Sequence, residues 1–362
     1  MLVFATGISG SGRSEYLRSF VQFAKKHKKK VKLYNLGKML FERAEKIGVY
    51  LSPKNVNNAH EDLLTALKAD AYDLIIGPEG SNLKKELAEN DVLIINAHAD
   101  FYYNVGYDIA FDPAYFPDLK PDMYVTFIDG STEIFGRIGK RDQWKYQNLT
   151  SKDILLWQNV EVNDTKLVAR IFRKPHYVIT SGQPLSTLFN LVFYPEVEKV
   201  YVSMPITHLR SKEDQIKILK FINELNKYFV VFNPLTVDMG TAAGEEKLKI
   251  KGFIIESAEH EQTVRRDMKW QLAQSDKNIV YFPRVLASPG VTDERLLAYL
   301  GTKDVFVVHP AEASPFIKKF NTVSRLFYEP EDLFQFLQED YFNKILPNFL
   351  YSMETYENYS EQ

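Results

Sequence analysis

Residues 7–14 form a glycine-rich segment whose spacing is typical of a phosphate-binding loop. They read Gly-Ile-Ser-Gly-Ser-Gly-Arg-Ser and directly follow an apolar run at residues 2–6. The pattern is G-x-x-x-x-G-K-[ST], with Arg13 in the lysine position. Glycines let the backbone curl so that N–H groups face an anion, and the following helix adds its own free N–H groups. The predicted phosphate-binding residues are Gly7, Ser9, Gly10, Ser11, Gly12, Arg13 and Ser14.

Two side chains of this loop define its expected chemistry. The Ser14 hydroxyl is placed to hold a magnesium ion, and the side chain at position 13 to reach the terminal phosphates of ATP. Arginine keeps the positive charge, but its planar fork cannot replace a compact ammonium group atom for atom. The loop therefore predicts nucleotide binding, with ATP and Mg²⁺ as ligands, more strongly than catalysis. The alternative is a glycine-rich connection that binds nothing.

A second cluster of potentially reactive residues lies at 287–294 and reads Ala-Ser-Pro-Gly-Val-Thr-Asp-Glu. A serine-x-glycine turn that leads into a helix offers free N–H groups to an anion. Glu294 lies in this helix and projects into the crevice at the carboxyl end of a predicted strand. The alternative is that Glu294 only interacts favourably with the dipole at the helix start.

The elements that would position these residues alternate between apolar, β-rich runs and helical patterns. This alternation predicts an α/β protein with two doubly wound parallel-sheet domains. The predicted strands of the first half are 2–6, 31–34, 92–96, 123–128 and 177–180. Those of the second half are 199–204, 229–232, 278–282, 305–308 and 325–328.

The two series of strands define the expected domains. The first domain is predicted at residues 1–182 and the second at 198–345. Residues 183–197 are expected to form a closing helix and a linker between them. A polar tail is expected at 346–362, where few apolar residues are available for packing.

Composition narrows the class of protein. The chain has 362 residues, of which 45% are hydrophobic and 14% aromatic, enough for two packed cores. A formal net charge of −2 gives no general attraction to nucleic acid or anionic membranes. Cysteine is absent, which excludes disulfides, thiolate metal sites and cysteine nucleophiles. Because no apolar stretch reaches about 18 residues and no signal-peptide pattern is present, we expect a cytoplasmic protein that binds neither nucleic acid nor membrane.

Further motifs of the first half accompany the loop in a fixed order. They are Leu36-Gly37-Lys38-Met39-Leu40, Ile95-Asn96-Ala97-His98-Ala99 and Leu119-Lys120-Pro121-Asp122, followed by Arg137 and Arg141. Together they resemble archaeal-type adenylate kinases, which are P-loop nucleoside monophosphate kinases, over residues 1–182. The resemblance implies that Arg137 and Arg141 are lid arginines that clamp the phosphates during transfer. The alternative is that each forms a weak surface ion pair.

The sequence departs from this family at three places. Arg13 replaces the loop lysine, and Asn96 stands where the family has an aspartate that organises magnesium and water. Residues 51–56 lack the Arg-Asp pair that would hold the acceptor nucleotide. An acceptor other than AMP and a degenerate kinase that only binds nucleotide both remain open.

The second half carries its own ordered set of motifs. Tyr201 ends a predicted strand before Met204-Pro205-Ile206, and His260-Glu261-Gln262, Asp267, Trp270 and Asp276 precede the cluster at 287–294. Over residues 198–345 this order resembles the nucleoside 2-deoxyribosyltransferase superfamily, most closely its 2′-deoxynucleoside 5′-monophosphate N-glycosidase branch. The spacing from Asp267 to Asp276 is one residue longer than the resemblance implies.

This resemblance implies a flavodoxin/Rossmann-type fold with a glutamate nucleophile. Glu294 would attack the sugar C1′, as a retaining glycosidase carboxylate does. Tyr201 would hold Glu294 in place, and Asp267 would orient the sugar or protonate the leaving base. The residues implied in binding a 5′-phosphate are Ser288, Gly290 and Ser314, with His208 or Arg210 in place of the family's arginine unless phosphate selectivity is lost. In the family the serine at the position of Ser314 comes from the partner subunit, which implies a homodimer through the C-terminal domain.

The two halves together predict a protein of nucleotide metabolism. A kinase-like domain that binds ATP would be joined to a domain that cleaves or exchanges the glycosidic bond of a deoxynucleotide. A nucleotide-binding regulatory protein with a degenerate kinase site is the alternative. The base, the phosphate acceptor and the choice between hydrolysis and base exchange stay open at this level.

Overall fold

The computed structural model describes most of the chain, and the described residues form two compact units. They are residues 1–103, 106–144, 147, 149–206, 211–238, 248–250, 253–255, 262–311 and 325–342. Unit 1 comprises Met1–Leu185 and Thr236–Gln262, and unit 2 comprises Ser186–Leu235 and Thr263–Gln362. The chain therefore passes from unit 1 into unit 2, returns to unit 1 and ends in unit 2.

Strands and helices alternate along the chain, which confirms the predicted α/β class. The strands are β1 (Leu2–Gly7), β2 (Val31–Asn35), β3 (Val92–Asn96), β4 (Asp100–Tyr103), β5 (Gly106–Ile109), β6 (Met123–Ile128), β7 (His176–Thr180), β8 (Lys199–Ser203), β9 (Val230–Phe232), β10 (Leu248–Ile250), β11 (Phe253–Ile255), β12 (Lys277–Tyr281), β13 (Asp304–Val308) and β14 (Leu326–Phe327). The helices are α1 (Arg13–Lys26), α2 (Leu36–Lys46), α3 (Glu61–Ile76), α4 (Ser81–Glu89), α5 (Phe116–Leu119), α6 (Ser131–Ile138), α7 (Ser151–Ile171), α8 (Leu185–Phe193), α9 (Lys212–Leu225), α10 (Leu235–Asp238), α11 (Pro289–Leu300) and α12 (Pro330–Phe336). Two π-helical segments cover Arg265–Leu272 and Leu337–Phe342.

Unit 1 is built on a five-stranded sheet with β1 at its centre. The strand order is β2-β3-β1-β6-β7, and every pairing is parallel. All residues of β1 are buried, as expected for the central strand of a parallel sheet covered by helices. The five strands predicted for the first half lie within one residue of those observed.

The pairing register brings several strand ends together at one edge of this sheet. Gly7 of β1 pairs with Phe127 of β6, and Ala5 of β1 pairs with Asn96 of β3. The loops that follow these strands therefore leave from the same edge, where ligands bind in open α/β sheets. This edge carries the glycine-rich loop and His98.

Helix α7, with 21 residues, is the longest helix of the described chain, and the sequence patterns do not single it out. Thr150 and Asp153 form a capping box at its start, in which each side chain accepts a hydrogen bond from the other residue's backbone N–H. The buried face includes Trp157, Glu161 and Thr165, and the helix packs against β1 and β6. A carboxylate is thereby placed inside unit 1.

The segment Thr236–Gln262 belongs to unit 1 although it follows β9 in the chain. It contains β10 and β11, which pair in antiparallel orientation. Thr236 Oγ1 lies 2.6 Å from Thr180 Oγ1 at the end of β7, and Asn159 Nδ2 donates to Gln262 Oε1 at 2.8 Å. Chain order alone does not indicate this return.

Unit 2 contains the second parallel sheet, with the order β14-β13-β12-β8-β9. All residues of β8 and β12 are buried. Tyr201 in β8 pairs with Asn278 in β12 and with Phe232 in β9. The five strands predicted for the second half again lie within one residue of those observed, and α8 occupies the segment where a closing helix is expected.

One helical segment of unit 2 lies within residues 260–274, whose sequence pattern predicts an ordinary helix before β12. It is π-helical from Arg265 to Leu272. A π-helical turn contains more residues than an α-helical turn, so side chains along this segment follow a different spacing from those of a regular helix.

None of the helices in the described ranges combines the length and the apolar character that crossing a bilayer requires. The predicted tail at 346–362 lies outside the described residues.

Candidate functional site

The glycine-rich loop joins β1 to α1, and two of its glycines cannot be replaced by a residue that has a Cβ atom without strain. Gly10 and Gly12 have φ angles of 83° and 79°, a region that favours glycine. A Cβ atom at Gly10 would lie 2.8 Å from Ile138 Cγ1, and one at Gly12 would lie 2.7 Å from Ser181 Cβ. Both the backbone conformation and the available space therefore require glycine.

The loop also contains buried hydroxyl groups. Ser9 and Ser11 are buried, and Ser11 Oγ has no hydrogen-bond partner within the part of the chain that the structure describes. Buried polar atoms are nearly always hydrogen-bonded. Gly12 is the N-cap of α1 and provides no side-chain cap. The first N–H groups of α1 and the Ser11 hydroxyl form a set of donors suited to an anion.

The side chain of Arg13 is buried, with about 6% of the residue's surface exposed. Its Nη1 donates to Gly7 O, its Nη2 lies 3.3 Å from His98 Nε2, and its Nη1 is 3.9 Å from Glu161 Oε1. Burial lowers the pKa of the guanidinium to about 10, although Glu161 opposes the shift. The guanidinium predicted to reach a terminal phosphate is thus occupied by protein groups.

Glu161 of α7 is a site residue that sequence reasoning missed. Its Oε1 accepts hydrogen bonds from Gly7 N at 2.6 Å and Ala99 N at 2.8 Å, and its Oε2 accepts one from Asp100 N at 2.9 Å. Burial raises the pKa of Glu161, while Arg13 and these N–H groups counteract that shift. The available sequence signal was its helical spacing from Trp157 and Thr165, which places Glu161 on the apolar face of α7.

The two arginines predicted to clamp phosphates lie in different environments. Arg137 Nη1 donates to Gly10 O at 2.8 Å and to Asp129 Oδ2 at 2.6 Å. Arg141 is exposed and follows α6. Both line a cleft of about 810 Å³ beside Gly12 and the start of α1. Lys140 and Glu15 also line the cleft, so its cationic side chains outnumber its carboxylate and it is suited to an anionic ligand.

The Ser14 hydroxyl, predicted to hold magnesium, accepts a hydrogen bond from Asn96 Nδ2 at 3.2 Å. Magnesium in phosphate sites is usually held by one or two carboxylates together with phosphate oxygens. Across the described residues, no three His, Asp or Glu side chains are grouped to hold a metal ion. A hydroxyl beside an amide therefore fits a magnesium ion poorly.

In unit 2, Tyr201 contacts Glu294 from the middle of β8, which continues to Ser203, so Tyr201 does not end the strand as the sequence pattern predicts. Tyr201 Oη donates a hydrogen bond to Glu294 Oε1 at 3.0 Å. The tyrosine is fully buried, and burial raises its pKa well above the ordinary value, so it is a neutral hydrogen-bond donor. Residues 93 positions apart are thereby joined in one site.

The Glu294 carboxyl group has strongly altered acidity. Burial, followed by the nearby charge of Asp267, raises the pKa of Glu294 to about 8. Hydrogen bonds from Ser203 and Tyr201 and the charge of Arg266 act in the opposite direction. Perturbed carboxyl groups of this kind concentrate at functional sites.

Asp267 is buried in the π-helical segment and is paired with its neighbour. Arg266 Nε donates to Asp267 Oδ1 at 2.8 Å, and Arg266 Nη2 donates to Asp267 Oδ2 at 3.0 Å. This bidentate contact fixes the orientation of the carboxylate. Both residues act electrostatically on Tyr201 and Glu294, so the three predicted catalytic residues belong to one cluster.

The predicted phosphate-binding residues of unit 2 are only partly described. Ser288 is the N-cap of α11, and its Oγ accepts a hydrogen bond from Val291 N at 3.5 Å. Gly290 is exposed, with open space around the position of a Cβ atom. His208, Arg210 and Ser314 lie outside the described residues.

No protein-family model matches this chain.

Proposed function

We propose that unit 2 cleaves or exchanges the N-glycosidic bond of a 2′-deoxynucleoside 5′-monophosphate. The observation that carries this proposal is the 3.0 Å hydrogen bond between Tyr201 Oη and Glu294 Oε1. This hydrogen bond fixes the orientation of the carboxylate that would attack the sugar. The resemblance of residues 198–345 to the nucleoside 2-deoxyribosyltransferase superfamily supports the substrate class.

The proposed reaction proceeds through a covalent sugar–enzyme intermediate. The Glu294 carboxylate forms a bond to C1′, while the C1′–N bond breaks and its electron pair leaves with the base, which takes a proton from water. Water or a second base then attacks C1′ and releases the carboxylate. Tyr201 orients the nucleophile. The bidentate pairing of Asp267 with Arg266 favours a role in orienting the sugar over one in protonating the base.

The 5′-phosphate is proposed to bind at the start of α11. Ser288 and Gly290 lie there; because Pro289 has no N–H and Val291 N donates to Ser288 Oγ, Gly290 N and the Ser288 hydroxyl are the groups proposed to hold the anion. Ser314, His208 and Arg210 remain candidates from the resemblance alone. The same resemblance supports a homodimer through the C-terminal domain, whereas binding to nucleic acid or membrane is not proposed.

Unit 1 is proposed to bind a nucleotide at the loop 7–14 and the adjoining cleft. The glycine conformations, the buried Ser11 hydroxyl and the cations of the cleft support this proposal. A cytoplasmic protein of deoxynucleotide salvage or clearance would combine the two units. ATP is the expected ligand, and a Mg²⁺ ion held by Ser14 is not part of the proposal, because the side chain beside its hydroxyl is the Asn96 amide and not a carboxylate.

A second candidate function is a nucleotide-binding regulatory protein without phosphoryl transfer. The observation that favours it for unit 1 is the contact of Arg13 with Gly7 O and Glu161. Incubation with ATP, Mg²⁺ and nucleoside monophosphates tests it, because a kinase releases ADP and a diphosphate product. Binding without either product supports the regulatory function.

The glycosidase proposal is tested by incubating the full-length protein with each deoxynucleoside 5′-monophosphate and measuring free base by chromatography. Glu294→Ala and Glu294→Gln are expected to lose about 10³-fold or more in rate, because the covalent route is removed. Asp293→Asn, an exposed neighbour on the same helix, serves as the matched control and is expected to retain activity. Absence of base release by the wild type, or equal release by Glu294→Ala, contradicts the proposal.

A further inference from the structure

Glu161 and Arg13 bind the backbone N–H and C=O groups of Gly7, the first residue of the loop. Glu161 Oε1 accepts from Gly7 N, and Arg13 Nη1 donates to Gly7 O. Fixing both groups sets the direction in which the chain leaves β1. The same carboxylate binds Ala99 N and Asp100 N beyond β3, so it joins the ends of two neighbouring strands.

The other contacts of Arg13 keep it in this position. His98 Nε2 lies 3.3 Å from Arg13 Nη2 and can accept a hydrogen bond from it. Burial, together with the charges of Arg13 and Arg141, holds the pKa of His98 well below its ordinary value, so the imidazole is neutral. A lysine has one compact ammonium group and cannot reach Gly7 O, His98 and Glu161 with the geometry of a guanidinium fork.

Withdrawal of Arg13 toward a phosphate would leave Glu161 without its cation. Both side chains are buried, and an unpaired buried charge is strongly unfavourable. The neighbouring Asp100 cannot replace this cation, since a carboxyl group is at most neutral; burial and the charge of Glu161 raise its pKa to about 9. Asp164, which also faces Asp100, is itself acidic.

We propose that Glu161 is a positioning residue that, through Gly7 and Arg13, locks the loop in its anion-binding conformation, so that Arg13 does not contact the bound phosphate. This inference rests on the proposed binding of nucleotide by unit 1. Phosphate would be held by backbone N–H groups of the loop and of α1, by the Ser11 hydroxyl and by the cations of the cleft.

The lock itself is tested in the absence of ligand by amide hydrogen exchange on the full-length protein. Glu161→Gln, which keeps the side-chain size, and Arg13→Lys, which keeps the positive charge, are expected to accelerate exchange in residues 7–14 by about tenfold. Arg18→Lys on the exposed face of α1 is the matched control and should leave exchange unchanged. If exchange of the loop is the same in both variants as in the wild type, the lock does not exist. If Glu161→Gln does not fold, Arg13→Lys still decides the result.

The consequence for binding is tested by calorimetric titration with ATP, ADP and inorganic pyrophosphate. Both variants are expected to bind all three ligands about tenfold more weakly, with unchanged selectivity, and the double variant is expected to bind no more weakly than either single variant. A selective loss of ATP binding in Arg13→Lys, with none in Glu161→Gln, shows that Arg13 contacts the terminal phosphate and overturns the inference. If the wild type binds none of these ligands, nucleotide binding by unit 1 is wrong, while hydrogen exchange still decides the lock.

Discussion

At the scale of single residues, the two candidate sites differ in how their charged groups are compensated. In unit 1, Arg13 contacts Glu161 and Arg137 contacts Asp129. Each arginine also donates to a carbonyl of the loop. In unit 2, Glu294 is close to the carboxylate of Asp267. The hydrogen bond from Tyr201 only partly offsets the increase in the pKa of Glu294 that burial causes. Ionisation of Glu294 is consequently the step on which the proposed attack on the sugar depends.

Base release by unit 2 is expected to increase with pH through about 8. Glu294 must be ionised to attack C1′, and burial with the charge of Asp267 raises its pKa to about 8. The pH dependence of kcat/KM reports ionisation in the free enzyme, so measuring it from about pH 6 to about pH 10 checks the prediction.

The pH dependence of kcat/KM is also measured for an Asp267 variant, and one result would contradict the prediction. Asp267→Asn removes a charge that raises the pKa of Glu294, so the midpoint of its residual activity should move to lower pH. A rate that decreases as the pH rises through about 8 means that Glu294 acts in its protonated form, which is incompatible with a nucleophile.

At the scale of elements, the end of the unit 2 sheet opposite Glu294 is joined by a polar network. Lys277 begins β12, and its Nζ lies 2.5 Å from Asp304 Oδ2 and 3.2 Å from Glu198 Oε1. Tyr341, in the second π-helical segment, donates to Glu198 Oε2 at 2.5 Å. These contacts connect the starts of the neighbouring strands β8, β12 and β13 with the π-helical segment Leu337–Phe342.

Lys277→Met is expected to lower the free energy of unfolding of unit 2 by roughly 2 kcal/mol, because it leaves two partly buried carboxylates without their cation. Urea unfolding followed by circular dichroism and by Trp270 fluorescence measures the change. Lys220→Met, at an exposed position of α9, is the control and should be within about 0.5 kcal/mol of the wild type. Equal stability of both variants would show that the network contributes nothing.

Most of the strands were predictable, whereas the helical elements were less so. Central parallel strands are continuous apolar runs, and this pattern is visible without knowledge of their neighbours. The π-helical segment at Arg265–Leu272 carries an ordinary helical pattern, so its wider turn could not be inferred from periodicity. The hairpin of β4 and β5 and the helix α7 were likewise not singled out.

At the scale of the whole molecule, unit 1 is discontinuous in the chain. Residues of Thr236–Gln262 contact the end of β7 and the helix α7, although 50 residues of unit 2, Ser186–Leu235, intervene. A division of the chain at residue 182 or 185 would therefore remove part of unit 1.

A fragment of residues 1–185 is expected to unfold several degrees below unit 1 of the full chain. Thr180 and Asn159 lose their partners Thr236 and Gln262, and each lost hydrogen bond costs about 1 kcal/mol. Thermal unfolding followed by fluorescence of Trp144 and Trp157, in a full-length Trp270→Phe background, provides the comparison. Thr236→Val in that background should show part of the decrease, and an unchanged midpoint for the fragment would contradict the expectation.

The amino-acid sequence by itself determined the α/β class, the strands and the glycine-rich loop, because apolar runs and glycine spacing act over a few residues. Only the tertiary structure decided what the loop's arginine contacts. Glu161 is 154 residues from Gly7 and lies in a helix without a recognisable motif, so nothing local marks it as the partner of Arg13. The return of Thr236–Gln262 to unit 1 and the hydrogen bond from Tyr201 to Glu294 likewise depend on how distant segments pack, which the order of residues along the chain does not specify.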